Sequence, residues 1–190
     1  MSIVELVEEA PTEPLSLSSA KSHLRLDDIN DEDAAILSLI TSARQIIERM
    51  INRDIVVKAW DYKLPRFPVG AIALPKAPVT SITSITYIDP DGTLQTLSDS
   101  LYDLYGDDTY ADAGLAYDKQ WPSTREQRDA VVVRFVTGYT SVPAPIVHAM
   151  KMIVADLDNY RSNTIATGAV PKEVNLSIKY LLAPYRRVRL

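Results

Sequence analysis

The sequence predicts an α+β fold in which N- and C-terminal amphipathic helices pack together as a helical bundle, with an inserted, antiparallel β-rich lobe. Three observations predict it. Apolar residues recur at helical spacing over 32–52 and again over 143–161. Between 55 and 140 the vocabulary turns to β-branched and aromatic residues, punctuated by proline and glycine. The chain has 12 prolines, many of them in that middle stretch, and proline breaks long helices.

Residues 1–15 carry Glu5, Glu8 and Glu9 close together, and Glu13 lies between Pro11 and Pro14. That composition predicts an extended arm. Ser16 is a good N-cap for a short helix over 17–25, where Leu17, Ala20 and Leu24 keep helical spacing and Lys21 and Arg25 flank them. Asp27, Asp28, Asn30 and Asp31 break that helix and offer a new cap. In 32–52, Ile36, Ile40, Ala43, Ile47 and Met50 make one helical face, with Arg44, Gln45, Glu48 and Arg49 mostly off it.

The middle opens with Val56, Val57, Trp60 and Tyr62, followed by Ile72 and Leu74 among prolines 68, 75 and 78. Strands at 81–88 and 93–97 flank Asp89-Pro90-Asp91-Gly92, a sequence suited to a hairpin turn. Alternation within 81–88 is not clean, and its β-branched content carries the reading. Residues 131–137, VVVRFVT, make a better strand, closed by Gly138. Helix returns over 143–161, with Ile146, Met150, Ile153, Leu157 and Tyr160 on one face and proline suited to its first turn. A loop over 162–170 leads to a last helix over 171–182, with Val174, Ile178 and Leu181 on one face. Pro184 ends it and leaves a short basic tail, 184–190. The expected organisation is a single domain over 1–190: arm 1–15, helical part 16–53 with 143–183, β-rich insert 55–140, and tail.

Bulk chemistry narrows the function. The 25 acidic residues outnumber the 20 basic ones, whereas gripping nucleic acid draws its affinity from a basic surplus. With no cysteine, thiolate metal sites, disulfides and cysteine nucleophiles are excluded. The acidic start does not read as a signal peptide, and no run approaches the roughly 20 apolar residues that span a bilayer. A soluble protein made in the cytoplasm, with no membrane partner, is expected.

No catalytic constellation emerges. His23 and His148 are isolated, each on a predicted helix, and read as surface or satisfied core residues. There is no nucleophile elbow, no HExxH spacing and no glycine-rich phosphate loop. The most tempting cluster is 105–118, YGDDTYADAGLAYD. Asp107, Asp108, Asp112 and Asp118 suit a cation or a carboxylate pair, and equally suit a polar, turn-rich loop, which is the favoured reading. Asp89 and Asp91 with Gly92 look like a fragment of a calcium loop, but the remaining ligand positions are missing. Trp60, Tyr62, Trp121 and Tyr139 read as packing residues, because a base-stacking platform wants basic neighbours. No catalytic, cofactor-binding or metal-ligating residue is therefore assigned, and no cofactor. Arg186, Arg187 and Arg189 form the one basic cluster, read either as solvated charge or as a docking peptide for an acidic partner surface.

Taken in order, these segments resemble a known family. EPLSLSSAKSHLRLD at 13–27 and DEDAAILSLITSARQIIE at 31–48 are similar to the opening of the phage head–tail connector family. LPKAPVTSITSITYIDPDGTLQTL at 74–97 resembles its proline-flanked strand and hairpin. VVVRFVTGYTSVPAPIVHAMKMIVA at 131–155 resembles its strand-to-helix join, and LLAPYRRVR at 181–189 its ending. The likeness runs through almost the whole chain, least so over 102–118. It implies a structural adaptor, not an enzyme, at the head–tail junction of a long-tailed phage or gene transfer agent. Such a protein forms a ring, a dodecamer in the particle, beneath the portal protein. It extends the DNA channel without sequence-specific DNA binding and meets a downstream neck (stopper) or tail protein. The family's docking segment maps onto Tyr180, Pro184, Tyr185, Arg186, Arg187, Arg189 and Leu190. The rival readings are another neck or tail-completion protein, or a glycosidase-like or metal-dependent enzyme using Asp107, Asp108 and Asp112.

Overall fold

The computed structural model describes residues 2–27, 31–163 and 176–188, with backbone alone over 160–163. Contacts divide the chain into two compact units: Met1–Ala10 with Val56–Thr140, and Pro11–Ile55 with Ser141–Leu190. The first is built of strands and the second of helices, so the fold is α+β.

The β unit contains strands β1 (Ile3–Glu9), β2 (Lys58–Leu64), β3 (Ile72–Ala73), β4 (Val79–Ile88), β5 (Leu94–Thr96), β6 (Tyr102–Gly106), β7 (Ala111–Leu115) and β8 (Val131–Thr137). They form an antiparallel five-stranded sheet, ordered β1-β2-β8-β4-β5, and a three-stranded sheet, ordered β3-β7-β6. β8 is central because it can bury one complete face. Val131, Val133, Phe135 and Thr137 point inward while Val132, Arg134 and Val136 alternate away from them. Ile85, Val131, Val133 and Phe135 of the larger sheet join Ile72, Tyr102, Ala111 and Ala113 of the smaller one in a single apolar cluster. Burying each large side chain there contributes about 2 kcal/mol.

Within the β unit, one expectation gains detail and another needs correction. The predicted arm 1–15 begins as a strand: β1 pairs with Lys58–Lys63 of β2, and Ala10 N–H continues to the Val57 carbonyl at 2.8 Å. Two of the glutamates that suggested an extended arm are cross-strand partners of lysines. Glu5 takes Lys63 at 2.6 Å, and Glu9 faces Lys58 at 3.7 Å. The segment 105–118, expected to be a loop, contains the end of β6 and all of β7, joined by a tight turn at 107–110. Its aspartates masked short strands whose inward residues are small alanines.

The predicted hairpin is present. Asp89 accepts Thr93 N–H at 2.8 Å and the Gln95 amide at 3.0 Å, and Gly92 adopts φ +91°. Those bonds, Gln95 first, hold the Asp89 carboxyl below its ordinary pKa. Register shifts between Val79 and Ser81 and between Ile82 and Ser84 explain the imperfect alternation of β4, because each irregularity moves the strand's phase by a residue. A Cβ on Gly138, at φ +107°, would collide with the Val56 carbonyl, so that bend after β8 requires glycine.

The helical unit contains α1 (Leu17–Leu24), α2 (Asp33–Ile51), α3 (Ala144–Asn163) and α4 (Leu176–Leu182), followed by a 3-10 turn over Ala183–Tyr185 that includes Pro184. Ser16 caps α1, its hydroxyl accepting Ser19 N–H at 3.3 Å, and Arg25 ends it in the left-handed region. α2 buries Ile36, Ile40, Ala43 and Ile47 as predicted. Met50 is only half-buried, and Ile51 occupies the enclosed position instead. On α3, Ile146, Met150 and Ile153 are buried and Leu157 half-buried. The loop 162–170, Val174 and the side chain of Tyr160 lie outside the described residues.

Arg44, expected off the apolar face of α2, is buried. Its Nε donates to Glu13 at 2.8 Å and its Nη1 to Glu48 at 3.1 Å. Glu13 also accepts the Thr41 hydroxyl at 2.9 Å, and Glu48 accepts Ile55 N–H at 2.9 Å. A buried guanidinium is tolerable only when paired and hydrogen-bonded in this way. Glu13, between its two prolines, thus ties the entry segment to α2. Lys21 is likewise buried and meets Asp33 at 2.9 Å, joining α1 to α2.

Candidate functional site

The carboxylates singled out in the acidic segment do not converge. Asp107 accepts Thr109 N–H at 2.6 Å and Tyr110 N–H at 2.9 Å, so its side chain builds the β6–β7 turn. Gly106 precedes it because a Cβ there would collide with the Tyr110 carbonyl. Asp108 is exposed at the turn, Asp112 is half-buried in β7, and Asp118 sits in a separate turn with φ +58°. Among the described residues, no three histidines, cysteines or acidic side chains are grouped so as to hold a metal ion. His23 on α1 and His148 on α3 are both exposed. Nor is any helix of the described residues long and apolar enough to cross a membrane.

The aromatic residues pack against the β unit's core. Trp121 stacks on Phe67 at 4.9 Å with nearly parallel rings and donates its indole N–H to the Gly70 carbonyl at 3.0 Å. Tyr87 meets Phe67 edge-on at 5.7 Å. Trp60 donates to the Thr137 hydroxyl at 3.0 Å, and the Lys76 ammonium lies 4.1 Å from its ring centre. A recess of about 440 Å³ beside Phe67 and Trp121 is open and shallow. Tyr102 is buried, and enclosure, with its hydrogen bond to Asp99, pushes its phenol up to about 12.

The C-terminal segment has the more organised surface. After α4, Arg186 N–H bonds the Ala183 carbonyl at 3.3 Å, and Arg187 N–H reaches the Ile51 carbonyl at the end of α2 at 2.8 Å. The tail is therefore fastened to the end of α2 at Arg187. Between the end of α2 and this segment lies a groove of about 660 Å³. Its apolar surface comes from Met50, Leu182, Ala183 and Val188, and its charge from Arg49, Lys179 and Arg186. An adjoining recess of about 350 Å³ adds Asn52 and Arg187. Of the predicted docking residues, Tyr180, Pro184 and Arg186 are exposed while Tyr185 and Arg187 are half-buried. Arg189 and Leu190 lie outside the described residues. Nothing in the sequence marked Arg49, Lys179 or Met50 for docking. Their helical spacing marked solvent or core faces and carried no sign that two distant segments meet.

Residues 15–188 match the model of the head completion protein family. No curated protein matches the chain. Solved structures share its fold. The neck of an empty GTA particle computed with C6 symmetry contains a chain that is 22% identical, with a TM-score of 0.76 over 99% of this chain and 97% of that one. A chain in the virion of a native gene transfer agent particle is 21% identical, with a TM-score of 0.75 over the same shares. One in the neck of a native GTA particle computed with C12 symmetry is 21% identical, with a TM-score of 0.72 and again the same shares.

Proposed function

Because this chain belongs to the head completion protein family, we propose that it is a structural component of the neck of a phage or gene transfer agent particle. It acts as a connector that forms a ring beneath the portal protein, extends the DNA channel and joins the head to the next neck or tail protein. The observation that carries the reading is the family match through 15–188. The fold shared with neck chains over nearly their whole length supports it, and the six- and twelve-fold symmetry applied to those necks supports a ring. Its two units work as one connector subunit.

The β unit carries 14 acidic against 8 basic residues, which suits a conduit that DNA slides past without sticking. The portal-facing surface is the C-terminal segment: Tyr180, Pro184, Tyr185, Arg186 and Arg187, continuing into Arg189 and Leu190. Its role is structural and not catalytic, and the aspartates of the acidic hairpin serve as turn and strand residues.

The test is co-sedimentation of the purified protein with portal-bearing, DNA-filled heads of the same particle, followed by imaging of the vertex. A ring at the portal vertex is expected, and a chain lacking 184–190 should remain folded without joining heads. A folded protein that leaves the vertex bare overturns the connector reading in favour of a later neck or tail protein. Joining by the truncated chain overturns the placement of the docking segment.

A further inference from the structure

We propose that the groove between the end of α2 and the segment after α4 receives an acidic, partly apolar peptide segment of the protein onto which this chain docks. The proposal rests on the docking reading above and reverses its direction. The tail is not a loose peptide that inserts into a partner; it is one wall of a receiving site.

Charge distribution is the first argument. Several cations elsewhere are matched: Lys21 with Asp33, Arg44 with Glu13 and Glu48, Lys63 with Glu5, and even the exposed Arg134 with Asp61. Arg49, Lys179 and Arg186 have no ion pair among the described residues, yet all three line one groove. Solitary surface cations are ordinary; three on two segments bordering one concave, apolar surface call for an anionic occupant.

Preorganisation is the second. The tail's wall is fixed by the Arg187 amide on Ile51 and by the 3-10 turn around Pro184, while Leu182, only 3% exposed, anchors its base. A partner segment entering this groove does not bear the cost of ordering the tail, which raises affinity without new contacts.

Apolar surface decides between classes of anion. A nucleic-acid backbone would use the cations and leave Met50, Ala183 and the 61% exposed Val188 facing phosphate or water. A peptide mixing carboxylates with leucine- or valine-like side chains satisfies both features at once. Arg49 and Arg186 can each take a carboxylate in bidentate fashion, with Lys179 as a point charge between them in kind.

The test titrates the full chain with a fluorescein-labelled peptide of alternating leucine and glutamate, its glutamine counterpart, and a DNA duplex of about 20 base pairs, a length that offers many phosphates. Glutamate should bind at least about tenfold tighter than glutamine at low salt, and Arg49→Glu with Lys179→Glu should erase that difference. Equal binding of the two peptides, no binding, or displacement of the glutamate peptide by the duplex overturns the proposal. The same double variant, shown to be folded by its helical circular dichroism, is then offered to heads beside the chain lacking 184–190. Loss of joining by both supports the groove. If only the truncation fails to join, the groove proposal falls and the docking reading stands; if both still join, the docking reading itself falls.

Discussion

The two units handle charge differently. The β unit encloses an almost wholly apolar cluster around Phe135 and keeps most of its acidic excess, 14 against 8, outside, although Lys58 is buried beside Glu9. The helical unit is near balance, with 11 acidic and 12 basic residues, and it brings Lys21 and Arg44 inside with their carboxylates. Apolar burial is non-directional and tolerates alternative packings. Arg44 bonded to Glu13 and Glu48 accepts one arrangement of the entry segment and α2. The helical unit therefore holds a particular geometry at its end, where the groove lies, while the β unit presents charge to its surroundings.

Both tryptophans, Trp60 and Trp121, belong to the β unit, so indole fluorescence follows that unit and ellipticity at 222 nm follows mainly the helices. This allows the contrast to be broken one side at a time. Phe135→Ala should cost about 4 kcal/mol, read as a shift of the fluorescence-detected urea transition. A concerted shift of both signals would show that the units unfold together. Arg44→Ala should cost about 3 kcal/mol, because it strands Glu13 and Glu48, and should move the 222 nm transition first. An effect below about 1 kcal/mol would mean that the carboxylates are solvated and the ion cluster is dispensable.

Smaller changes probe the acidic hairpin. Asp107→Ala should cost about 1 kcal/mol in thermal denaturation, through loss of the carboxylate oxygen that accepts the Thr109 and Tyr110 N–H groups, while Asp108→Asn should stay within about 0.5 kcal/mol. Neither should alter joining to heads. The smallest signal is one phenol among ten tyrosines. Tyr102, raised to about 12, should ionise last in an absorbance titration at 295 nm. Its folded pKa lies above the unfolded one, so its stabilising effect is complete below about pH 10 and disappears as pH rises through about 12. Replacing Asp99 with alanine should lower that final step.

What could be read from residues alone follows from local physics. Helical spacing located α2 and the start of α3, Ser16 announced its own cap, and Asp-Pro-Asp-Gly announced its turn, because each of these depends on neighbours within a few residues. The strand β8 was legible because a run of valines with Phe135 and Thr137, closed by Gly138, favours extended backbone; its regular alternation of buried faces appeared only in the structure. Where alternation was displaced, in β4, or where strands were short and rich in aspartate, in β6 and β7, periodicity lost its signal.

Other features depended on residues far apart in the chain. The partner of β1 is β2, some fifty residues onward, and nothing in Ile3–Glu9 announces the lysines that meet its glutamates. Arg44 looked solvated until Glu13 was brought beside it, and the cations of the groove looked unrelated until Arg187 was fastened to Ile51. The sequence by itself determined the α+β class, the helices, the central strand and the family likeness, since these are written in short-range pattern and ordered motifs. Only tertiary structure decided which charges are buried in pairs and which remain open, because a charge's energy is set by the neighbours that replace its water.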